Sequence, residues 1–316
     1  MKNTVLFLAL FTLGTILSAE EWKTSRRSLW ESKGENHYIC NLSGTEEKWN
    51  VIGLKKELEP EKFYRLSFFS KGKCPKDNLR IGISRADKTR LNFRADLREN
   101  WTKCQQIFYS KGGGLSELFF SLPKNKECSA EIRGIELEKV PETELKGNLY
   151  PEGNAEDPEI GTGNWIMLNP ELPDLLSIEP NKDFLAGERN FVLKISPVKK
   201  GAVGIKSRYI PIAPGRKYRF SFWAKANKKT GLHYIVSSWP PEKHSGKHFW
   251  KRRPAVLFTE WMPYSMEVEI PDDLKEYPDL AGRILTFSFR IPNNQENAEI
   301  RLDDIAFEEI DETKAK

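Results

Sequence analysis

The sequence predicts an all-β protein made of two tandem antiparallel β-sandwich domains of jelly-roll type. Three observations support this fold class. Short segments alternate apolar and polar residues, as half-buried antiparallel strands do. No segment keeps the 3.6-residue period of a long helix, and the second half of the chain repeats the first. The length of 316 residues also suits two domains, because one domain typically takes about 150.

The first 19 residues have the pattern of a signal peptide. An apolar run from Val5 to Leu17 follows one positive charge, and it is too short to span a bilayer. Small residues at its end suit cleavage after Ala19. No later run reaches about 18 apolar residues. We therefore expect a mature protein that is soluble and either secreted or periplasmic.

The repeat is clearest in two segments that align without a gap. Residues 54–71 read LKKELEPEKFYRLSFFSK, and residues 208–225 read RYIPIAPGRKYRFSFWAK. Among the identical pairs are Pro60 with Pro214, Tyr64 with Tyr218 and Phe68 with Phe222. Such a match favours a tandem duplication over coincidence.

Two further matches follow in the same order along the chain. Trp101 corresponds to Trp261, and AEIR at 130–133 recurs at 298–301. The polar, non-periodic segment PETELKG at 141–147 separates the copies. We therefore place the first domain at 20–143 and the second at 147–311.

Several strands can be predicted individually in the second copy. Tyr218–Ala224 and Leu285–Ile291 alternate in polarity, and Phe191–Ile195 is a third run of this kind. The turn-forming residues 292–294 follow the second run.

All four cysteines belong to the first copy, and their spacing matches no C-x-x-C metal site. They are Cys40, Cys74, Cys104 and Cys128. In an oxidising compartment we expect two disulfides within the first domain, and the sequence leaves three pairings open.

Composition and motifs argue against several function classes. The chain has 50 basic and 45 acidic residues, and this net charge of +5 is small for a nucleic-acid-binding protein. It contains neither a G-x-S-x-G elbow nor an H-E-x-x-H helix. His244 and His248 are four apart, but they stand in a glycine-containing loop and would not share a helical face. We therefore expect a protein that is not an enzyme and binds neither nucleic acid nor membranes.

Four segments of the second domain carry a family resemblance. They are NLYPEGNAE at 148–156, AGERNFVL at 186–193, PGRKYRFSFWAK at 214–225 and IRLDDIAF at 300–307. In this order they resemble the landmarks of bacterial carbohydrate-binding modules of families four and nine. The resemblance implies a jelly-roll β-sandwich that binds glycans without catalysis and often holds a structural calcium ion.

Carried over residue by residue, the resemblance gives Glu156 and Asp303 as candidate calcium ligands, since this hard cation prefers oxygen ligands. The alternative is that Asp303 and Asp304 are solvated carboxylates at the end of a strand. The first copy lacks these paired aspartates, so we expect it to keep the fold without the ion.

The predicted ligand site is a basic loop that is flanked by aromatic residues. Residues 243–253 hold five Lys or Arg, two His and no acid. Arg and Lys bind carboxylates and sulfates through charge-assisted hydrogen bonds, so the loop suits an acidic glycan. The candidate ligand-binding residues are Trp239, Trp250, Tyr234, His233, His248, Lys251, Arg252 and Arg253. The alternative is a solvated loop whose two tryptophans pack back onto the sandwich. Three other tryptophans fall at positions matched in the repeat. They are Trp101, Trp223 and Trp261, and they are predicted to pack in the core or under a loop.

Two other functions stay open at this point. A polysaccharide lyase on a β-sandwich could use His233 and Tyr234 with Arg252 or Arg253 to neutralise a uronate and remove its proton. A surface protein that binds other proteins is the second. The expected partner remains a polysaccharide or glycan, with separately encoded carbohydrate-active enzymes as possible associates.

Overall fold

The structure is a computed structural model of the chain. It describes residues 23–24, 29–34, 36–43, 50–74, 79–85, 90–95, 97–124, 126–150, 162–163, 165–169, 172, 175–180, 191–196, 202–238, 247–293, 295 and 297–310. The predicted signal peptide lies outside these residues, as do Glu156 and Trp239. Within the described ranges, no helix is long and apolar enough to cross a membrane.

The first copy consists of strands that form two sheets. The strands are β1 (Lys23–Thr24), β2 (Trp30–Gly34), β3 (His37–Ser43), β4 (Asn50–Leu58), β5 (Phe63–Lys73), β6 (Leu79–Ser84), β7 (Arg90–Ala95), β8 (Thr102–Tyr109), β9 (Gly114–Leu122) and β10 (Glu127–Lys139). Their order is β1-β4-β9-β6-β7 in one sheet and β2-β3-β10-β5-β8 in the other. A 3₁₀ turn at Glu142–Leu145 follows.

The second copy has the same sheet order with one short strand added. Its strands are β11 (Trp165–Met167), β12 (Leu176–Pro180), β13 (Phe191–Ile195), β14 (Val203–Ser207), β15 (Ile210–Pro211), β16 (Lys217–Ala226), β17 (Thr230–Ser237), β18 (Trp250–Leu257), β19 (Met262–Glu269), β20 (Ile284–Ile291) and β21 (Ile300–Glu309). The sheets run β11-β14-β20-β17-β18 and β12-β13-β21-β16-β19, and β15 pairs with β20. Two 3₁₀ turns, Leu274–Glu276 and Pro278–Gly282, precede β20.

Each pair of sheets encloses its own hydrophobic core, so the predicted all-β fold with two tandem sandwiches is confirmed. Alternate side chains of the central strands enter the core, because successive residues of a strand point to opposite faces. Trp30 and Trp165 are buried in these cores.

The repeat extends to a single hydrogen bond. In the first sandwich, the Tyr64 hydroxyl accepts a hydrogen bond from the Glu59 amide at 2.9 Å. In the second, the Tyr218 hydroxyl accepts one from the Ala213 amide at 2.8 Å. Each tyrosine thus ties the start of its strand to the turn before it.

The alignment of the closing strands needs a correction of two residues. β10 pairs Arg133 with Phe69, and β21 pairs Asp303 with Trp223, which is the partner of Phe69 in the repeat. Asp303 therefore corresponds to Arg133 and not to Ile135 as the AEIR match requires. A shift of two keeps every side chain on its face of the sheet, so the alternation pattern could not detect it.

The prediction of two disulfides in the first domain was wrong, because its four cysteines form one. Cys74 and Cys128 form a disulfide, which joins the ends of the neighbouring strands β5 and β10. Cys40 and Cys104 are buried thiols that form no disulfide. They lie on β3 and β8, which are separated by two strands in their sheet.

Of the two predicted places for the matched tryptophans, the core or a position under a loop, the structure excludes the core. Trp101, Trp223 and Trp261 are half-buried and lie outside both cores. Equivalent lysines cover two of them: Lys71 Nζ is 4.9 Å from the Trp101 ring centroid, and Lys225 Nζ is 5.3 Å from that of Trp261. Cation–π contacts of this kind shield a ring without placing it in the core.

Candidate functional site

The β17–β18 hairpin carries most of the predicted ligand residues that the structure describes. The outward-facing cross-strand pairs are Gly231 with Val256, His233 with Pro254, Ile235 with Arg252 and Ser237 with Trp250. The alternate residues of β17, from Leu232 to Val236, enter the core. Strand parity thus decides which of the predicted residues share one face.

Three predicted residues come together on the outer face of this hairpin. Trp250 is 57% exposed, which is unusual for so large a ring. On the neighbouring pairs, Arg252 Nη2 lies 2.7 Å from His233 Nε2. Burial and the charge of Arg252 lower the pKa of His233, so a neutral imidazole accepts this hydrogen bond. The result is a flat aromatic surface beside a cation, which suits a sugar ring with polar substituents.

Tyr234 is the predicted ligand residue that the structure removes from the surface. It is 5% exposed, its hydroxyl donates to the Ser265 carbonyl oxygen at 3.1 Å, and its ring packs against Phe222. Burial raises its pKa. Because Tyr234 and His233 are adjacent in one strand, they point to opposite faces of the sheet, so Tyr234 is separated from the His233–Arg252 pair of the predicted lyase site.

The remaining predicted residues are exposed but do not converge with the hairpin face. Lys251 and Arg253 are exposed, and they have the opposite parity to Arg252 on β18. His248 is exposed in the segment before that strand. Trp239 lies outside the described residues.

The position of β18 at the edge of its sheet gives the basic run a structural explanation as well. Only β17 pairs with it among the described strands. Charged residues and proline on an edge strand prevent pairing with another chain, and Lys251, Arg252 and Pro254 fit that role. The exposed ring of Trp250 gains nothing from this role, so it is the residue that points most directly to a ligand.

The outer face of this sheet continues beyond the hairpin with residues that the sequence analysis missed. Lys206 on β14 pairs with Ser288 on β20, which in turn pairs with Ile235. Arg290 is the cross-strand partner of His233. Alternation could have placed Lys206 and Arg290 on an outer face, but their proximity depends on a strand order that the sequence does not give.

Asp303 is the one predicted calcium ligand that the structure describes. It is fully buried, and its Oδ1 accepts a hydrogen bond from the Asp304 amide at 2.8 Å. A buried carboxylate requires compensation, and a cation is one group that can provide it. The described residues contain no cluster of three or more His, Cys, Asp or Glu that could hold a metal. The role of Asp303 as a calcium ligand therefore stays a prediction, and the second candidate, Glu156, lies outside the described residues.

The equivalent position of the first sandwich has a cation of its own. Arg133 takes the place of Asp303 in the strand register. Its guanidinium lies 4.2 Å from the Trp101 ring centroid. At the next position, Gly134 and Asp304 both have positive φ, 58° and 50°. The two sandwiches share the backbone irregularity but differ in charge at this site.

No family model and no curated protein matches the chain. Among solved structures, the tandem CBM22-1–CBM22-2 domain of Paenibacillus barcinonensis Xyn10C is 14% identical and covers 90% of this chain and 92% of its own, with a TM-score of 0.34. A family 16 carbohydrate-binding module is 20% identical over 51% of this chain and 99% of its own, with a TM-score of 0.36.

A third similar structure is the N-terminal cellulose-binding domain of the Cellulomonas fimi β-1,4-glucanase C. It is 15% identical over 44% of this chain and 91% of its own, with a TM-score of 0.30. TM-scores of this size are too low to decide a fold or a function. The fold and the function of this chain therefore rest on the evidence of its own residues.

Proposed function

We propose that this protein is a secreted, non-catalytic glycan-binding protein whose ligand surface is the outer face of the β17–β18 hairpin. The observation that carries the proposal is the 57% exposed ring of Trp250 beside the His233–Arg252 pair. An exposed ring stacks on the apolar face of a pyranose, and the adjacent polar groups fix its hydroxyls. The cations of the hairpin favour glycans that carry carboxylates or sulfates.

A glycan array probed with the full chain, with and without calcium, tests the proposed function. We expect binding to uronate-containing or sulfated polysaccharides that weakens as salt increases, because salt screens exposed charges. Binding only to a neutral glucan, insensitive to salt, would contradict the acidic preference. Release of unsaturated uronates from alginate or pectin would favour a lyase instead.

A substitution of Trp250 tests the location of the site. Trp250→Ala should lower glycan affinity by about tenfold or more, as loss of an aromatic hot spot does, with little change in melting temperature. Leu115→Ala is a matched control, because Leu115 is an equally exposed apolar residue, 60% accessible, on the first sandwich. Unchanged affinity of Trp250→Ala would place the site elsewhere.

We also propose a structural calcium ion at Asp303, with Glu156 as a further ligand. The buried carboxylate of Asp303 supports this. EDTA should then lower the melting temperature of the second sandwich, and added calcium should restore it. Asp303→Asn should remove the response to both. If EDTA leaves the melting temperature of the native protein unchanged, a structural calcium ion is ruled out.

A further inference from the structure

The two sandwiches contact each other through Arg208, which follows β14. It is 4% exposed, and its Nη2 donates to the Gly163 carbonyl oxygen at 2.7 Å. Its Nη1 donates to the carbonyl oxygen of Arg94 on β7 of the first sandwich. Beside it, the Phe93 and Tyr209 rings meet edge to face with centroids 5.2 Å apart. These contacts hold the edge of the first sandwich against the β14–β15 connection of the second.

Positive side chains converge at this junction. Lys206 and Arg290 face outward on neighbouring strands, as diagonal neighbours in the register that pairs Gly204 with Arg290. Burial lowers the pKa of Lys206 to about 8, and three guanidinium groups add to the effect. They belong to Arg208, Arg94 and Arg290. One of the four cations thus comes from the first sandwich.

Placing four cations together is electrostatically unfavourable, and an anion between them reverses the sign of the interaction. Arg94 and Arg290 are exposed, so their guanidinium groups are available to a ligand. A guanidinium binds carboxylate or sulfate in a bidentate manner, which gives a planar anionic group both strength and orientation.

The cluster is continuous with the proposed glycan surface. Arg290 pairs across the sheet with His233, and His233 contacts Arg252. From β18 to β14 there are three strand spacings, about 14 Å at ~4.8 Å each. That span suits an oligosaccharide better than a single sugar.

We propose that the two sandwiches jointly form an anion subsite at their junction, in which Lys206, Arg290 and Arg94 bind a carboxylate or sulfate of a glycan that extends to Trp250. The subsite rests on the proposed glycan-binding function for its ligand class. Its distinctive feature is that the first sandwich contributes Arg94.

Calorimetric titration of the full chain tests the subsite with three probes: trigalacturonate, a sulfated galactose trisaccharide and neutral galactotriose. Arg94→Ala and Arg290→Ala should each weaken binding of a charged probe by about tenfold and leave neutral binding unchanged. The charged probe that responds more strongly identifies carboxylate or sulfate as the preferred group. Arg219→Ala is the matched control, since it removes an exposed arginine from the other sheet of the second sandwich.

The outcomes separate the subsite from the proposed function. Charged probes that bind Arg94→Ala and Arg290→Ala as tightly as the native chain would overturn the subsite, even if Trp250→Ala confirms glycan binding. If the native chain binds none of the probes, titration with inorganic sulfate decides. A sulfate-dependent rise in melting temperature that Arg94→Ala and Arg290→Ala abolish supports the subsite alone, and no rise overturns it.

Discussion

Tyr64 and Tyr218 show what the two copies have kept at the scale of single residues. Each hydroxyl accepts the amide hydrogen of the residue five positions earlier, and each ring is buried. Burial is the main reason that the pKa of Tyr218 is raised to about 12, so its hydroxyl stays protonated at physiological pH. The Tyr218 contact is therefore a neutral hydrogen bond that stabilises the fold independently of pH in that range.

Removal of either hydroxyl should destabilise its own sandwich. Tyr64→Phe and Tyr218→Phe each leave a backbone amide without its acceptor, which costs about 1–3 kcal/mol in the free energy of unfolding. Calorimetry on the full chain should show one transition shifted and the other unchanged. Tyr264→Phe is the control, because its hydroxyl donates to Val256 in an exposed bond. Equal shifts in all three variants would contradict a specific role for the repeated contact.

At the scale of strands, the sequence predicted where a strand lies along the chain better than which strands it pairs with. The runs predicted at Phe191–Ile195 and Leu285–Ile291 coincide with β13 and β20 almost to the residue. Alternation is a local property, so it can be read locally. The segment Leu232–Val236 was ambiguous because four of its five residues are apolar or aromatic, and only the sheet shows that Tyr234 faces inward.

Pairing between distant strands explains the remaining misses. Lys206 and Arg290 are 84 positions apart, and β14 and β20 bring them together. The cysteines were misjudged for the same reason, since only the order of the strands separates Cys40 from Cys104. A pattern within one strand contains no information about its neighbour.

The Cys74–Cys128 disulfide should stabilise the first sandwich alone. It closes a loop of 54 residues between the ends of β5 and β10, and such crosslinks typically contribute about 2–4 kcal/mol by restricting the unfolded chain. The Cys74→Ala/Cys128→Ala double variant should therefore lower the melting temperature of the first sandwich and leave that of the second sandwich unchanged. The native chain under a reducing agent is the parallel control. A shift of the second transition instead would show that the sandwiches do not unfold independently.

At the scale of the whole molecule, two sandwiches with one topology present different outer faces. In the first, the ring of Phe119 lies against Gly82, where an added Cβ would come within 1.9 Å of it. The Arg90 guanidinium covers the ring at 4.3 Å from its centroid, and Phe119 is only 6% exposed. The first sandwich thus fills with its own side chains the face that the second leaves open around Trp250.

This asymmetry predicts one glycan site for each chain despite the duplication. Titration of the native protein with an oligosaccharide that binds should give a stoichiometry of one, and Trp250→Ala should lower the affinity of that site without revealing a second site. Arg90→Ala tests the reason, because it uncovers the Phe119 ring and offers a surface on which a sugar can stack. A native stoichiometry of two would mean that Arg90 leaves the ring accessible in solution. If the native stoichiometry is one and Arg94→Ala lowers the affinity, the first sandwich contributes charge to a ligand that the second sandwich binds.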